Sequence, residues 1–127
     1  MDDPVKSVLV VDDEFGIAEV LEALLVDAGF RVTRAINGLQ GLQRLHESAV
    51  DLVMLDMMMP LMDGPTMLGK LRADPLHRAT PVIVMSGLPR DVAESRISDA
   101  YQGYLQKPFM IQALFEAIET AFGREPD

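Results

Sequence analysis

Hydrophobic and polar positions alternate along the chain in blocks that predict five strands, each followed by a helix. Short apolar runs at residues 8–11, 52–55 and 81–85 have the length and composition of buried strands. Residues 31–35 mix polar with apolar side chains and residues 103–105 form only a short run, so both predict weaker strands. The pattern therefore indicates three central strands and two strands at the edges of a sheet.

The segments between the strands carry apolar residues at helical spacing. An apolar side chain recurs every three or four positions, which is typical of a helix with one face on a core. Residues 92–100 show this periodicity only thinly and predict a poor helix, and Gly29 is the predicted stop of the first helix. The positions that carry the pattern are Ile17, Val20, Leu21, Leu24, Leu25 and Ala28; Leu39, Leu42 and Leu45; Met67, Leu68 and Leu71; and Ile111, Leu114, Phe115, Ile118 and Phe122.

Five strand–helix units in succession predict an α/β fold with a parallel sheet and helices on both faces. Right-handed crossovers favour a doubly wound, flavodoxin-like (βα)5 arrangement with strand order 2-1-3-4-5. In that order the apolar first, third and fourth strands lie at the centre. The short fifth strand lies at one edge, and the second strand, which contains Arg31, Thr33 and Arg34, lies at the other.

Charge and composition narrow the classes of function. A formal net charge of -9 argues against a sequence-independent grip on nucleic acid and against attraction to anionic membranes. The lack of cysteine excludes disulfides and thiolate metal sites. No apolar segment approaches the roughly 20 residues of a membrane span, and the acidic start is unlike a signal peptide. We therefore expect a cytoplasmic protein with one domain over residues 1–127, a core from about residue 6 to 122 and no effector domain.

Five polar residues fall at the predicted carboxyl ends of four strands. Open parallel sheets bind ligands at this edge, near the point where the strand order reverses. We therefore expect these side chains to form one site. They are Asp12 and Asp13 directly after the first strand, Asp56 directly after the third, Ser86 at the end of the fourth and Lys107 one residue beyond the fifth.

Each of these residues also has a purely structural interpretation. Asp12 or Asp13 could cap the first helix, and Asp56 could form a turn. Ser86 could belong to a turn as well, and Lys107 could be an exposed lysine before a helix-starting proline. These interpretations leave the shared edge unexplained, because each of them would have to hold independently.

Carboxylates that converge on one edge repel one another, and a hard cation relieves that repulsion. Mg²⁺ accepts one or two carboxylates, keeps several waters and commonly bridges to phosphate. Zinc is a poorer candidate, because His46 and His77 fall in predicted helix or loop away from this edge. A cation, a lysine and a hydroxyl around one central carboxylate suit a phosphoryl group on that carboxylate, since aspartate can form an aspartyl phosphate.

Four stretches of the sequence carry these residues, namely VLVVDDE, LDMMMPLMDG, VIVMSG and GYLQKPF. Together they resemble the receiver (CheY-like) domain of two-component response regulators, and the resemblance runs from about residue 6 to 122. It implies a phosphorylation-switched signalling module rather than an enzyme, one that promotes only its own phosphorylation and dephosphorylation. It implies Mg²⁺ as the cofactor and a sensor histidine kinase or phosphotransfer protein as the donor. The downstream protein target stays open.

The resemblance also gives a role to each residue of the expected site. Asp56 is implied as the phospho-acceptor, Lys107 as the partner of the phosphoryl oxygens and Ser86 as a hydroxyl donor to them. The implied Mg²⁺ ligands are Asp13, Asp12, Asp56 and the backbone carbonyl of Met58. A cis peptide bond is implied between Lys107 and Pro108, and X-Pro bonds are the only kind in which the cis form is cheap.

The signal is expected to leave the site through Ser86 and Tyr104, the latter being the implied aromatic switch residue. A small shift of Ser86 and its loop would open space beside the fourth strand, into which the Tyr104 ring could swing. The predicted partner surface is the fourth helix, the fifth strand and the exposed face of the fifth helix, including Gln112, Glu116 and Glu119. That last helix lacks the alternating charges with which transcription-factor receivers often dimerise. We therefore expect a monomer or a weak phosphorylation-dependent dimer.

Two other functions are compatible with parts of the pattern. A phosphatase of the haloacid dehalogenase type would also use an aspartate nucleophile, but it carries a second acid two residues later, where this chain has Met58. A degenerate receiver would bind partners without phosphorylation, which the presence of Asp13, Asp56, Ser86 and Lys107 disfavours. The mass of the intact protein after mixing with acetyl phosphate and Mg²⁺ separates the three.

Overall fold

A computed structural model of the chain describes residues 4–123. The expectations for the acidic start and for the end of the chain concern residues 1–3 and 124–127, which lie outside the described residues. Five strands alternate with five helices. In chain order these are β1 (Ser7–Val11), α1 (Phe15–Asp27), β2 (Arg31–Ala35), α2 (Gly38–Glu47), β3 (Leu52–Asp56), α3 (Gly64–Ala73), β4 (Val82–Ser86), α4 (Arg90–Glu94), β5 (Gly103–Gln106) and α5 (Ile111–Ala121).

The strands form one parallel sheet in the order β2-β1-β3-β4-β5, which confirms the predicted topology. Every residue of β3 and β4 is buried, as are four of the five residues of β1. Most residues of β2 and β5 are partly exposed. The contrast follows from position, because only the central strands have a neighbouring strand on each side.

Alternate residues of the central strands pack into two separate cores, one on each face of the sheet. Val8, Val10 and Met54 point to the first core, which α1 and α5 cover. Their neighbours Leu9 and Val53 point to the second core, which α2, α3 and α4 cover. This period of two explains why the strands read as continuous apolar runs. Among residues 4–123, no helix combines the length and the apolar character needed to cross a membrane.

Local signals in the sequence set the ends of several helices. The side chain of Asn37 accepts a hydrogen bond from the Gln40 N–H at 2.8 Å and begins α2, and Asp63 does the same for α3 through the Thr66 N–H at 2.9 Å. Gly29 has a φ of 98° just after α1, which confirms it as the stop of that helix.

The fourth helix is shorter than the sequence predicts. We expected a poor helix over residues 92–100, but α4 spans Arg90–Glu94 and the chain continues as turns. The Ser95 hydroxyl donates to the Val92 carbonyl at 2.6 Å, and that carbonyl is the one an α-helix would offer to the N–H of residue 96. The Arg96 N–H donates instead to the Ala93 carbonyl at 3.0 Å, which tightens the last turn and ends the helix.

The start of α3 lies unusually close to the end of β3. A Cβ atom added at Gly64 would stand 2.8 Å from the Cα of Met57 and closer still to the carbonyl of Asp56. The Gly64 N–H donates to the Met57 carbonyl at 2.9 Å, so the approach is held by a backbone bond. Because the obstacle is backbone rather than a flexible side chain, only glycine fits here without moving β3.

We predict that Gly64→Ala lowers the free energy of unfolding by about 1–3 kcal/mol, the usual cost of forcing an extra carbon into a packed region. Gly16→Ala is the control, since a Cβ at Gly16 would meet nothing within 4 Å in α1. It should leave stability unchanged or raise it by about 0.5–1 kcal/mol. Urea unfolding followed by circular dichroism measures both. Equal stability of the two variants would contradict the close approach at Gly64.

Candidate functional site

The carboxyl ends of the central strands bring the predicted site residues together. Asp12 follows β1 directly, Asp56 is the last residue of β3 and Ser86 is the last residue of β4. Lys107 directly follows β5, which is one residue longer than predicted, and its N–H donates to the Ser86 carbonyl at 2.7 Å. The peptide bond between Lys107 and Pro108 is cis, as the resemblance implies.

Three carboxylates meet at this edge. Asp12, Asp13 and Asp56 each offer an oxygen atom within 4.8 Å of those of the other two. Asp12 and Asp56 are buried, with 1% and 4% of their surface exposed, whereas Asp13 is exposed. Such a group of hard, charged oxygens fits a hard divalent cation, and its exposed member leaves a side on which the cation could keep waters. The donor set therefore fits Mg²⁺.

Lys107 holds the acids together. Its Nζ lies 2.7 Å from an oxygen of Asp12, 3.2 Å from one of Glu14 and 3.5 Å from one of Asp56. Burial alone would lower the pKa of the Lys107 ammonium. The hydrogen bond to Asp12 and the charges of Asp56 and Asp12 outweigh burial and raise the pKa above its ordinary value. Lys107 is therefore a fixed positive charge beside the buried carboxylates.

The carboxyl group of Asp56 has a strongly perturbed pKa. Burial raises its pKa to about 7, Lys107 opposes the rise, and the charge of Asp12 adds to it. A hydrogen bond from the backbone of Met58 also favours the charged form, and the charge of Asp13 disfavours it. Desolvation thus dominates over the neighbouring lysine. The result is a carboxylate that gains more than most from the arrival of further positive charge.

Ser86 and Tyr104 are joined through one residue of the loop after β4. The Ser86 Oγ accepts a hydrogen bond from the Leu88 N–H at 2.9 Å, and the Tyr104 hydroxyl donates to the Leu88 carbonyl. Ser86 is buried, and Tyr104 is half-buried against the second core. The ring of Tyr104 is therefore tied to the loop that begins at the site.

The structural interpretations of these residues hold in part. Asp12 accepts a hydrogen bond from the Glu14 N–H at 2.8 Å, so it forms a local turn before α1 as well as facing Lys107. Ser86 likewise closes a small turn with Leu88. Lys107, in contrast, is not the exposed lysine of the structural interpretation, because only 10% of its side chain is accessible.

Two further residues near the site escaped the sequence analysis. Glu14 contacts Lys107, and its only signal in the sequence is that it directly follows the two acids. Arg96 lines a cleft of about 590 Å³ together with Asp13 and Met58. Arg96 lies just beyond the end of α4, whereas the sequence pattern placed it inside a helix over residues 92–100. Met58 itself is exposed at the mouth of the site.

Comparison with known proteins identifies the family. The family model for the response regulator receiver domain matches residues 8–119. The transcriptional activator protein PfeR of Pseudomonas aeruginosa is 40% identical over 114 residues, which are 87% of this chain and 36% of PfeR. The chain spans 36% of the length of PfeR and 57% of the length of the probable transcriptional regulator ycf29 of Porphyra purpurea.

Solved structures agree with this match. The signal receiver domain of an HD domain-containing protein from Pseudomonas fluorescens has a TM-score of 0.85 at 29% identity, covering 97% of this chain and 90% of that one. The receiver domain of the sensor histidine kinase PA1611 from Pseudomonas aeruginosa, solved with a magnesium ion in its active site cleft, has a TM-score of 0.86 at 26% identity, covering 94% and 99%. The sheet order, the family match and these neighbours show that the chain belongs to the receiver domains of two-component response regulators.

Proposed function

We propose that this chain accepts a phosphoryl group on Asp56 in a Mg²⁺-dependent reaction and changes its binding to a protein partner as a result. The observation that carries the proposal is the setting of Asp56. It is a buried carboxylate with a pKa raised to about 7, between Asp12, Asp13 and Lys107. The negative charges around Asp56 favour a phosphoryl group that binds together with Mg²⁺. The ammonium of Lys107 can then pair with the oxygens of that group.

The donor we propose is a phosphohistidine of a sensor histidine kinase or of a phosphotransfer protein. A carboxylate oxygen of Asp56 attacks the phosphorus, the new O–P bond forms, and the N–P bond breaks. The leaving imidazole keeps the electron pair of that bond and takes up a proton. Hydrolysis later returns the free carboxylate and inorganic phosphate. The net charge of -9 favours protein partners over direct contact of this segment with nucleic acid.

Each neighbour of Asp56 has a part in this reaction. Lys107 is close enough to Asp56 to form an ion pair with the added phosphoryl oxygens. The hydroxyl hydrogen of Ser86 remains free to donate to those oxygens, because the Ser86 Oγ only accepts a bond, from the Leu88 N–H. Asp13, Asp12, Asp56 and the Met58 carbonyl would hold Mg²⁺. The bound ion would supply positive charge against the developing phosphoryl charge.

The route out of the site runs through Leu88. If Ser86 moves towards a phosphoryl oxygen, the Leu88 N–H that is bonded to it follows, and the Leu88 carbonyl changes its bond to Tyr104. The Tyr104 hydroxyl is bonded to the loop in this structure, so the expected swing of its ring would have to break or shift that bond. We propose that this chain of bonds links the site to a surface formed by α4, β5 and α5, with Gln112, Glu116 and Glu119 on its exposed side.

Asp56→Asn tests the acceptor. The parent mixed with acetyl phosphate and Mg²⁺ should gain one labile phosphate, and the variant should gain none, because the amide lacks the nucleophilic oxygen. The variant should remain folded and be more stable than the parent above pH 7. Burial raises the pKa of Asp56 to about 7, so ionisation costs folded-state stability as pH rises from about 4 to 7, and the amide has no such cost.

Intact mass and urea unfolding at pH 5 and pH 8 measure these two effects. Asp63→Asn is the control for the adduct, since Asp63 caps α3 beside the same cleft and should still allow phosphorylation. A phosphate that maps to any residue other than Asp56 would refute the assignment.

Asp13→Asn tests the metal site. Loss of this exposed carboxylate should weaken Mg²⁺ binding by about tenfold or more. It should not destabilise the metal-free protein, because it removes one of three mutually repelling charges. The readout is the rise in the thermal midpoint with Mg²⁺ concentration, since a ligand of the folded state stabilises it by mass action. Asp27→Asn, an exposed acid at the end of α1, should behave as the parent. Equal Mg²⁺ dependence in both variants would show that the ion binds elsewhere.

Hydrogen exchange tests the route of the signal. A beryllofluoride mimic of the phosphoryl group, added with Mg²⁺, should change amide protection between residues 86 and 106, because the bonds of Leu88 and Tyr104 rearrange. Asp56→Asn treated in the same way should show no change. If protection in the parent changes only around Asp13 and Asp56, the proposed route through Leu88 is wrong.

A further inference from the structure

Glu14 contacts the site lysine although no part of the proposed reaction uses it. Its Oε1 lies 3.2 Å from Lys107 Nζ, on the open side of the site, and 57% of its side chain is exposed. Lys107 also lies 2.7 Å from Asp12 and 3.5 Å from Asp56. The lysine therefore faces three carboxylates at once, and only two of them belong to the acid cluster at the strand ends.

The contact is not explained by the needs of α1. Glu14 occupies the position just before that helix, where a side chain often bonds to a free N–H of the first turn, but its side chain makes no such bond. Its backbone carbonyl accepts from the Ala18 N–H at 3.0 Å, a bond that any residue could make. The Glu14 carboxylate therefore does not stabilise the start of α1, and its contact is with Lys107.

The ammonium of Lys107 has three hydrogens to donate, and three carboxylates stand around it. The ammonium donates hydrogen bonds to Asp12 and Glu14, whereas the Asp56 oxygen at 3.5 Å forms only an ion pair with it. A hydrogen bond to a phosphoryl group on Asp56 requires Nζ to move towards Asp56, so one of the two present bonds must lengthen or break. Asp12 is held in place, because its side chain is fully buried and also accepts from the Glu14 N–H. Asp56 carries the phosphoryl group itself. Glu14 is the partner that can withdraw into water.

We infer that Glu14 is a positioning residue that restrains Lys107 in the unphosphorylated protein and so opposes the phosphorylated state. The inference rests on the function proposed above and adds to it a residue that sets the balance between the two states. Exposed ion pairs contribute little free energy, so the restraint should be modest. Its removal should strengthen the binding of a phosphoryl mimic by about two- to fivefold.

Two substitutions at this position separate contact from charge. Glu14→Gln removes the charge. Glu14→Asp keeps it but shortens the side chain by one methylene, which withdraws the carboxylate from Lys107. Glu19→Gln, at an exposed position one turn along α1, is the control for loss of an acidic charge. Circular dichroism should show all three folded as the parent. The measurement is the affinity for beryllofluoride at saturating Mg²⁺, at low and at high salt.

If Glu14 restrains Lys107 by contact, Glu14→Gln and Glu14→Asp should both bind beryllofluoride more tightly than the parent, and Glu19→Gln should not. The gain should shrink at high salt, because exposed ion pairs are screened. If only Glu14→Gln gains affinity, the effect is general charge and the inference is wrong. If the parent binds beryllofluoride and neither Glu14 variant differs from it, the inference about Glu14 is wrong, whereas the proposed function stands. If the parent itself does not bind beryllofluoride, the proposed function fails and the inference falls with it.

Discussion

The crowding of Asp12 and Asp56 around Lys107 is the constraint on which the rest of the site depends. Two buried carboxylates cannot stay ionised side by side unless a positive charge lies between them or beside them. Lys107 supplies one such charge, at 2.7 Å from Asp12 and 3.5 Å from Asp56. It is not enough for Asp56, whose pKa still rises to about 7. This edge is therefore short of positive charge, and a bound cation would remove the shortage.

The fold makes this crowding possible because its stability comes from elsewhere. Two apolar cores, one on each face of the sheet, bury the central strands almost completely. The carboxyl ends of parallel strands lie at the same edge of the sheet. Residues that are distant in the sequence therefore meet there as a direct result of the fold. The close approach of Gly64 to the end of β3 keeps the loop after Asp56 compact. The hydrophobic cores can thus support an edge where charges repel.

How far the sequence predicted this structure depends on the range of the forces involved. The strand order and the five residues at the carboxyl edge followed from apolar runs and from strand geometry, and the structure brings those residues together. The end of α4 could not be predicted in that way, because it depends on one hydroxyl, that of Ser95, taking a helix carbonyl. The contact of Glu14 with Lys107 was missed for a similar reason. It joins residues 93 positions apart in the sequence. The residues that neighbour Glu14 in the sequence do not indicate which way its exposed side chain points.

The acidic edge of the sheet also lies within a few hydrogen bonds of Tyr104 on β5, which belongs to the partner surface proposed above. Leu88 donates its N–H to Ser86 and accepts a hydrogen bond from Tyr104 at its carbonyl. One residue therefore connects the site with β5. A short α4 follows directly, with one buried residue, Ala93, and few helical bonds of its own. Such an element has little local stability to overcome, and small shifts at Leu88 can therefore change its position more readily than they could move a long helix. The short α4 therefore supports the proposed route through Leu88, although the sequence pattern, which predicted a helix over residues 92–100, did not indicate it.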